Sequence, residues 1–178
     1  MNSGQIIIDP RPEPERIKTS AVDLTLGKEF RRWVMPSAKG TEITIDLSQW
    51  DYPETARSHQ ELINTEPDGS VIIEPQKLIL GMTQEYIALP ETSRLAARVE
   101  GRSSLARIGL AIHLTAPTIH CGFKGAITLE ITNHGVVPLR LRPGMAICQL
   151  VLEMVFGTPS QLMQGIFQDQ DTVQGKPL

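Results

Sequence analysis

Cysteine is scarce in this chain and what there is stands apart: of 178 residues only Cys121 and Cys148 are cysteines, and no C-x-x-C pair occurs. That excludes a disulfide framework and a structural zinc site of ordinary spacing. Excess positive charge is absent too. With a formal net charge of −3 there is no overall basic field to draw the chain to nucleic acid or to an acidic membrane surface, so neither is expected as a partner. No apolar run approaches the ~20 residues of a membrane-spanning helix, and Met1-Asn2-Ser3-Gly4 lacks the charged start and apolar stretch of a secretory signal. A soluble, cytoplasmic protein is the expectation. The histidines His59, His113, His120 and His134 show no metal-ligand spacing, and no internal repeat is present.

What is present is a period of two. Val22, Leu24 and Leu26 alternate with Ala21, Asp23 and Thr25; Ile43, Ile45 and Leu47 alternate with Thr44 and Asp46; Ile127, Leu129 and Ile131 alternate with Thr128, Glu130 and Thr132. Such alternation predicts strands with one face in a core and the other polar. Further strands are expected over 6–8, 30–34, 71–74, 78–87, 98–100, 112–115, 139–141 and 147–153. Pro67-Asp68-Gly69 and Pro143-Gly144 are turn signals between them. Many short strands separated by turns predict an all-β sandwich or barrel, in a single domain over 1–178. Helix should be confined to 103–108 and to 54–62, inside a polar insertion over 48–67. Residues 1–16 read as an N-terminal arm and 157–178 as a loosely ordered C-terminal tail.

The densest chemistry lies in Gly101-Arg102-Ser103-Ser104-Leu105-Ala106-Arg107, which brings two arginines, two serines and a glycine into seven residues. Glycine lets the backbone approach an anion, a serine can cap the helix that follows, and a helix start favours negative charge. If a helix begins at Ser103, Ser103 and Arg107 share a face. A surface turn with solvated arginines has the same composition.

Glu130 lies on the polar side of its strand, where Thr128 and Thr132 also point. Two readings fit that pattern: a solvated sheet face, or a pocket wall carrying a general base. His113, in an apolar strand pattern, reads as a core or interface histidine. His120 stands beside a turn where a ligand could reach it. Phe167 and Gln170 form an aromatic–amide pair in the tail, as a lid over a ligand would need.

Gly101–Leu110, Thr115-Ala116, Gly122-Phe123-Lys124-Gly125, Thr128-Leu129-Glu130 and Pro143-Gly144-Met145-Ala146-Ile147-Cys148-Gln149-Leu150, preceded by Ser20-Ala21-Val22-Asp23-Leu24-Thr25-Leu26-Gly27, together resemble deoxycytidine triphosphate deaminase of the trimeric dUTPase superfamily. The resemblance implies a distorted, jelly-roll-like β-barrel of the dUTPase type with one or two short helices, assembled as a homotrimer with shared active sites. It implies hydrolytic deamination of dCTP to dUTP and ammonia, with Mg2+ arriving on the substrate triphosphate and no zinc. The P-C-x-x-C that zinc deaminases pair with their H-x-E does not occur in the chain.

By the same resemblance Glu130 matches the general base, Ser103 and the carbonyl of Ala116 position water, and Arg107 stabilises the reacting site. Arg102 and Ser104 match phosphate contacts. Thr115, His120, Phe167 and Gln170 complete the substrate-binding set, with Gln170 closing on the triphosphate. Two departures stand out. His120 replaces an aspartate that in the triphosphatase relatives works on the sugar and on attacking water, which argues against pyrophosphate hydrolysis; an imidazole there can still hydrogen-bond a hydroxyl. Ile166 and Phe167 stand where a basic residue and a tyrosine are common. A dUTP diphosphatase or bifunctional deaminase–diphosphatase is the alternative reading, and a non-catalytic nucleotide-sensing trimer the third.

Overall fold

The computed structural model describes residues 5–35, 44–49, 51–157 and 168–174. In chain order the elements are β1 (Ile7–Asp9), β2 (Ala21–Thr25), β3 (Arg31–Trp33), α1 (Tyr52–Ser58), β4 (Gln60–Leu62), β5 (Val71–Ile73), β6 (Leu78–Ala88), β7 (Leu95–Gly101), α2 (Ser103–Ala106), β8 (Leu110–Ala111), β9 (Thr118–Ile119), β10 (Lys124–Asn133), β11 (Leu139–Leu141) and β12 (Ala146–Met154). The all-β expectation holds, with two short helices. The strands form three sheets: a six-stranded one ordered β4-β3-β6-β10-β8 with β1 also on β6, a four-stranded one ordered β2-β12-β7-β9, and the pair β11-β5. Among the described residues these sheets are not joined edge to edge into a closed barrel.

Apolar alternation sets the core. Leu129 and Ile131 from the large sheet meet Leu24, Leu26, Ile147 and Leu150 from the four-stranded one, all at 1% exposure or less. Each such side chain contributes roughly 1.5–3 kcal/mol of burial. The polar side of β2 departs from the simple pattern. Asp23 and Thr25 are also buried, because a second layer covers them and supplies partners. Thr25 donates its N–H to Glu85 Oε2 at 2.8 Å and its hydroxyl to Oε1 at 2.7 Å, while Gln149 Nε2 donates to Asp23 Oδ1 at 2.8 Å. Cys148, fully buried beside them, has its thiol pushed well above the usual range by burial and by the nearby Glu85 and Asp23 carboxylates, so it stays neutral.

Four local expectations are corrected. Residues 44–49 form no strand: Asp46 Oδ1 takes the Ser48 N–H at 2.9 Å and the Ser48 hydroxyl at 2.7 Å, a side-chain turn that competes with sheet pairing; Ile43 lies outside the described residues. Residues 112–115 are irregular, the sheet partner ending at Ala111. The helix expected over 54–62 stops at Ser58, and Gln60–Leu62 pairs with β3 instead. Ser103 is not a cap. The capping position is Arg102, in extended conformation, with no side-chain cap bond.

Described residues near both ends pair with the large sheet. Ile7–Asp9 pairs with β6, and Ile6 and Ile8 are buried. In the tail, Gln170 forms a parallel bridge to Gly125 along the free edge of β10, Asp169 N–H donates to the Lys124 carbonyl at 2.7 Å, and Val173 is buried. Residues 168–174 therefore add an edge segment to the large sheet. A Cβ on Gly125 would lie 3.0 Å from the Gln170 nitrogen, so the bare backbone is what admits this close approach.

Gly109 joins α2 to β8 at φ +92°, and a Cβ there would lie 2.4 Å from the Gly135 nitrogen. Gly109→Ala is expected to cost about 3 kcal/mol from backbone strain and overlap together. A circular-dichroism melt should fall by about 6–12 °C for a chain of this size; an unchanged midpoint would show that the α2–β8 corner yields freely.

Candidate active site

β10 carries Glu130, and its register decides where that carboxylate points. Pairing with β6 runs from Lys124↔Ala88 to Thr132↔Leu78, with an irregularity between Ala126 and Thr128. Thr83 stitches the irregularity: its hydroxyl accepts the Ile127 N–H at 2.9 Å and donates to the Glu85 carbonyl at 2.9 Å. Such bulges re-aim the side chains beyond them. Past it, Ile127, Leu129 and Ile131 enter the core, whereas Thr128 and Glu130 are half-buried on the other face. Glu130 is among the residues that line a cavity on that face.

That pocket is a cavity of about 590 Å³. Glu130, Ala116 and Gln170 line it together, on a mostly apolar floor that includes Val99 and Phe123. Glu130 Oε2 accepts the Leu114 N–H at 3.3 Å, its only hydrogen bond among the described residues. The residue is thus steered from one side and open to the cavity on the other. Gln170 is 4% exposed and donates Nε2 to the Ala126 carbonyl at 2.5 Å. It sits inside the cavity wall.

The arginine–serine segment lies elsewhere. None of Arg102, Ser103, Ser104 and Arg107 lines the Glu130 cavity of its own chain. Ser103 and Ser104 are exposed on a helix of four residues, and Arg107 is exposed at the position that follows it. Arg102 is half-buried, with Nη1 donating to the Ala146 carbonyl at 3.1 Å and Nη2 lying 3.5 Å from Asp23 Oδ2. The chain therefore holds two separate groups of candidate residues: an acid in a cavity, and hydroxyls with a guanidinium on and just after α2. Beneath α2 a smaller cavity of about 370 Å³ is lined by Gly101, Ala106 and Gly109, and His113 lines both cavities. Thr115 is exposed near Ala116; His120 is exposed in the turn after β9, where its carbonyl accepts the Phe123 N–H at 3.1 Å. Phe167 lies outside the described residues.

The family model described as dCTP deaminase-like matches residues 1–155. The chain belongs to the dCTP deaminase-like family. Among its relatives, a protein of Methanothermobacter thermautotrophicus named "dCTP deaminase, dUMP-forming" is 42% identical over 173 residues, covering 90% of this chain and 81% of the relative. One of the same name from Methanobrevibacter smithii is 39% identical, covering 93% and 80%. A "dCTP deaminase" of Tolumonas auensis is 38% identical, covering 90% and 82%. The solved structure of 2'-deoxycytidine 5'-triphosphate deaminase from Agrobacterium tumefaciens shares the fold with a TM-score of 0.61 at 17% identity; the match covers 86% of this chain and 44% of that one.

For a dCTP deaminase-like protein the structure adds residues that the motifs did not single out. Asp23 and Glu85 emerge as buried carboxylates tied to Arg102 and Thr25. A single strand's alternation marks them only as polar, since the layer that covers them comes from distant sequence. Arg57, on α1 in the polar insertion, reaches the Glu130 cavity, a placement no local pattern signals.

Proposed function

We propose that this protein is a homotrimeric, cytoplasmic hydrolase that deaminates dCTP to dUTP and ammonia. The observation that carries the reading is Glu130: a half-buried strand carboxylate anchored by one backbone N–H and facing a nucleotide-sized cavity lined also by the Ala116 segment. Membership of the dCTP deaminase-like family supplies the substrate class.

In this reading Glu130 takes a proton from water held by the Ser103 hydroxyl and the Ala116 carbonyl. The hydroxide adds to the amino-bearing ring carbon; Glu130 returns the proton to the amino group, the C–N bond breaks, and ammonia leaves as the added hydroxyl becomes the ring carbonyl and its proton passes to the adjacent ring nitrogen. Arg107 offsets negative charge that develops during addition. Arg102 and Ser104 hold the triphosphate, Thr115 and His120 face the sugar, and Phe167 and Gln170 close the site from the tail. In this reading magnesium arrives as a ligand of the triphosphate oxygens, a role that suits a hard cation that keeps several waters. Proton transfer is assigned to Glu130, with no step routed through a zinc ion.

Parallel assays of ammonia and pyrophosphate from dCTP, dUTP and CTP test the reading. Ammonia from dCTP with dUTP as the product is expected. Pyrophosphate released in step with ammonia would make the enzyme bifunctional, despite the histidine at position 120. Binding of dCTP with no turnover would favour the sensing trimer.

A further inference from the structure

The guanidinium of Arg102 is held at two of its nitrogens. Nη1 donates to the Ala146 carbonyl at 3.1 Å, and Nη2 lies 3.5 Å from Asp23 Oδ2. Sheet order makes the second contact possible. β12 lies between β2 and β7, with Gln149 opposite Asp23 on one side and opposite Glu100 on the other, and Arg102 directly follows the end of β7. Asp23 is itself fixed: it is 3% exposed, and Gln149 Nε2 donates to its Oδ1 at 2.8 Å.

Burying a carboxylate is costly, so an acid at this position calls for a reason beyond filling space. The partner supplies one. An arginine fork is planar, and fixing two of its nitrogens fixes its plane. The Arg102 side chain is still 33% exposed, so the fork is oriented without being enclosed. It stands at the head of α2, next to the exposed Ser103 and Ser104. A free arginine loses rotamer freedom when it meets an anion, and an existing hold removes that cost from binding.

Resting on the assignment of Arg102 to the triphosphate above, we infer that Asp23 is a positioning residue for substrate binding: through Oδ2 it orients the Arg102 guanidinium toward the phosphates, and it acts through Arg102 alone. Asp23→Asn keeps an oxygen for Gln149 and removes the charge that holds Nη2. In steady-state assays of the full-length enzyme, KM for dCTP is expected to rise about 3- to 10-fold, the cost of immobilising one rotamer-rich side chain, with kcat within about twofold. In an Arg102→Met background the same substitution should leave KM within about twofold, because the group that Asp23 orients is gone. Loss of a negative charge by itself favours an anionic substrate, so a lower KM would show that Asp23 only tempers the arginine's charge. A fall in kcat would show that it anchors α2, and an equal rise in KM in both backgrounds that it serves the fold at large. Each of these results, like an unchanged KM, overturns the assignment. If Asp23→Asn fails to fold, Asp23→Ser is put through the same cycle; failure of both would make Asp23 a requirement of folding and overturn it as well. An unaltered KM in Arg102→Met alone would instead sink the phosphate role of Arg102, and absence of dCTP turnover by the unsubstituted protein the deaminase reading as a whole.

Discussion

The Glu130→Gln protein is expected to bind dCTP and release almost no ammonia. Glutamine is nearly isosteric with glutamate and keeps a side-chain oxygen for the Leu114 N–H, which reaches Glu130 Oε2 at 3.3 Å; the wall of the cavity should therefore survive. What is lost is a group able to take a proton from water. A positioned general base is worth roughly 10²–10⁴ in rate, so kcat should fall by that factor while calorimetric affinity for dCTP stays within about threefold, the substitution touching only proton transfer. Turnover at the unsubstituted rate would reject Glu130 as the base. Loss of binding together with turnover would make it a ligand contact instead.

Mixing two dead variants should restore activity. Because Arg107 and Ser103 do not line the Glu130 cavity of their own chain, a working centre in the proposed trimer takes its acid from one protomer and its guanidinium from the next. Arg107→Ala and Glu130→Gln are each expected to fall to near background alone. In a trimer that holds both variants, a site is intact when the cavity belongs to an Arg107→Ala protomer and its neighbour is a Glu130→Gln protomer, which gives one site in three, about a third of the full activity. Differently tagged chains, co-expressed and purified through both tags, provide the material. If both groups acted within a single chain, every protomer in the mixture would carry a defect, and the activity would stay at background.

The two experiments probe features of very different visibility in the sequence. The strand that carries Glu130 was legible because Ile127, Leu129 and Ile131 repeat at the period of a pleated strand, and 124–133 is a strand in the structure. The face on which the glutamate lies followed from the same period. Whether that face met water or a cavity did not follow, since the covering comes from residues 99, 116 and 170, remote in sequence from the strand. Thr44 to Leu47 shows the opposite failure: a faultless alternation that forms no strand, because Asp46 satisfies the Ser48 N–H and hydroxyl locally. Alternation records what a segment could bury, not whether a partner edge is there to pair with it.

Residues 168–171 show what composition does not record. Gln168-Asp169-Gln170-Asp171 has the polarity of a loose terminus, yet Gln170 is 4% exposed because the 124–128 edge of β10 is left unpaired by β8 and accepts it. Backbone hydrogen bonding along a sheet edge does not depend on apolar side chains, so hydropathy is silent about it. Arg57 is a second case. Its neighbours in sequence mark it as a solvated helix residue, and only the fold of the insertion against the tail brings its Nη2 under cover.

By itself the sequence determined the all-β class, most of the strands and the chemically dense segments, because side-chain periodicity and turn residues are local properties read over a few positions. The three-dimensional fold alone decided which polar faces are covered, that Glu130 shares a cavity with Ala116, Gln170 and Arg57, and that the Ser103–Arg107 face stands apart from it within a protomer. Those are relations between segments tens of residues apart. They are set by sheet order and layer packing, to which no local pattern has access.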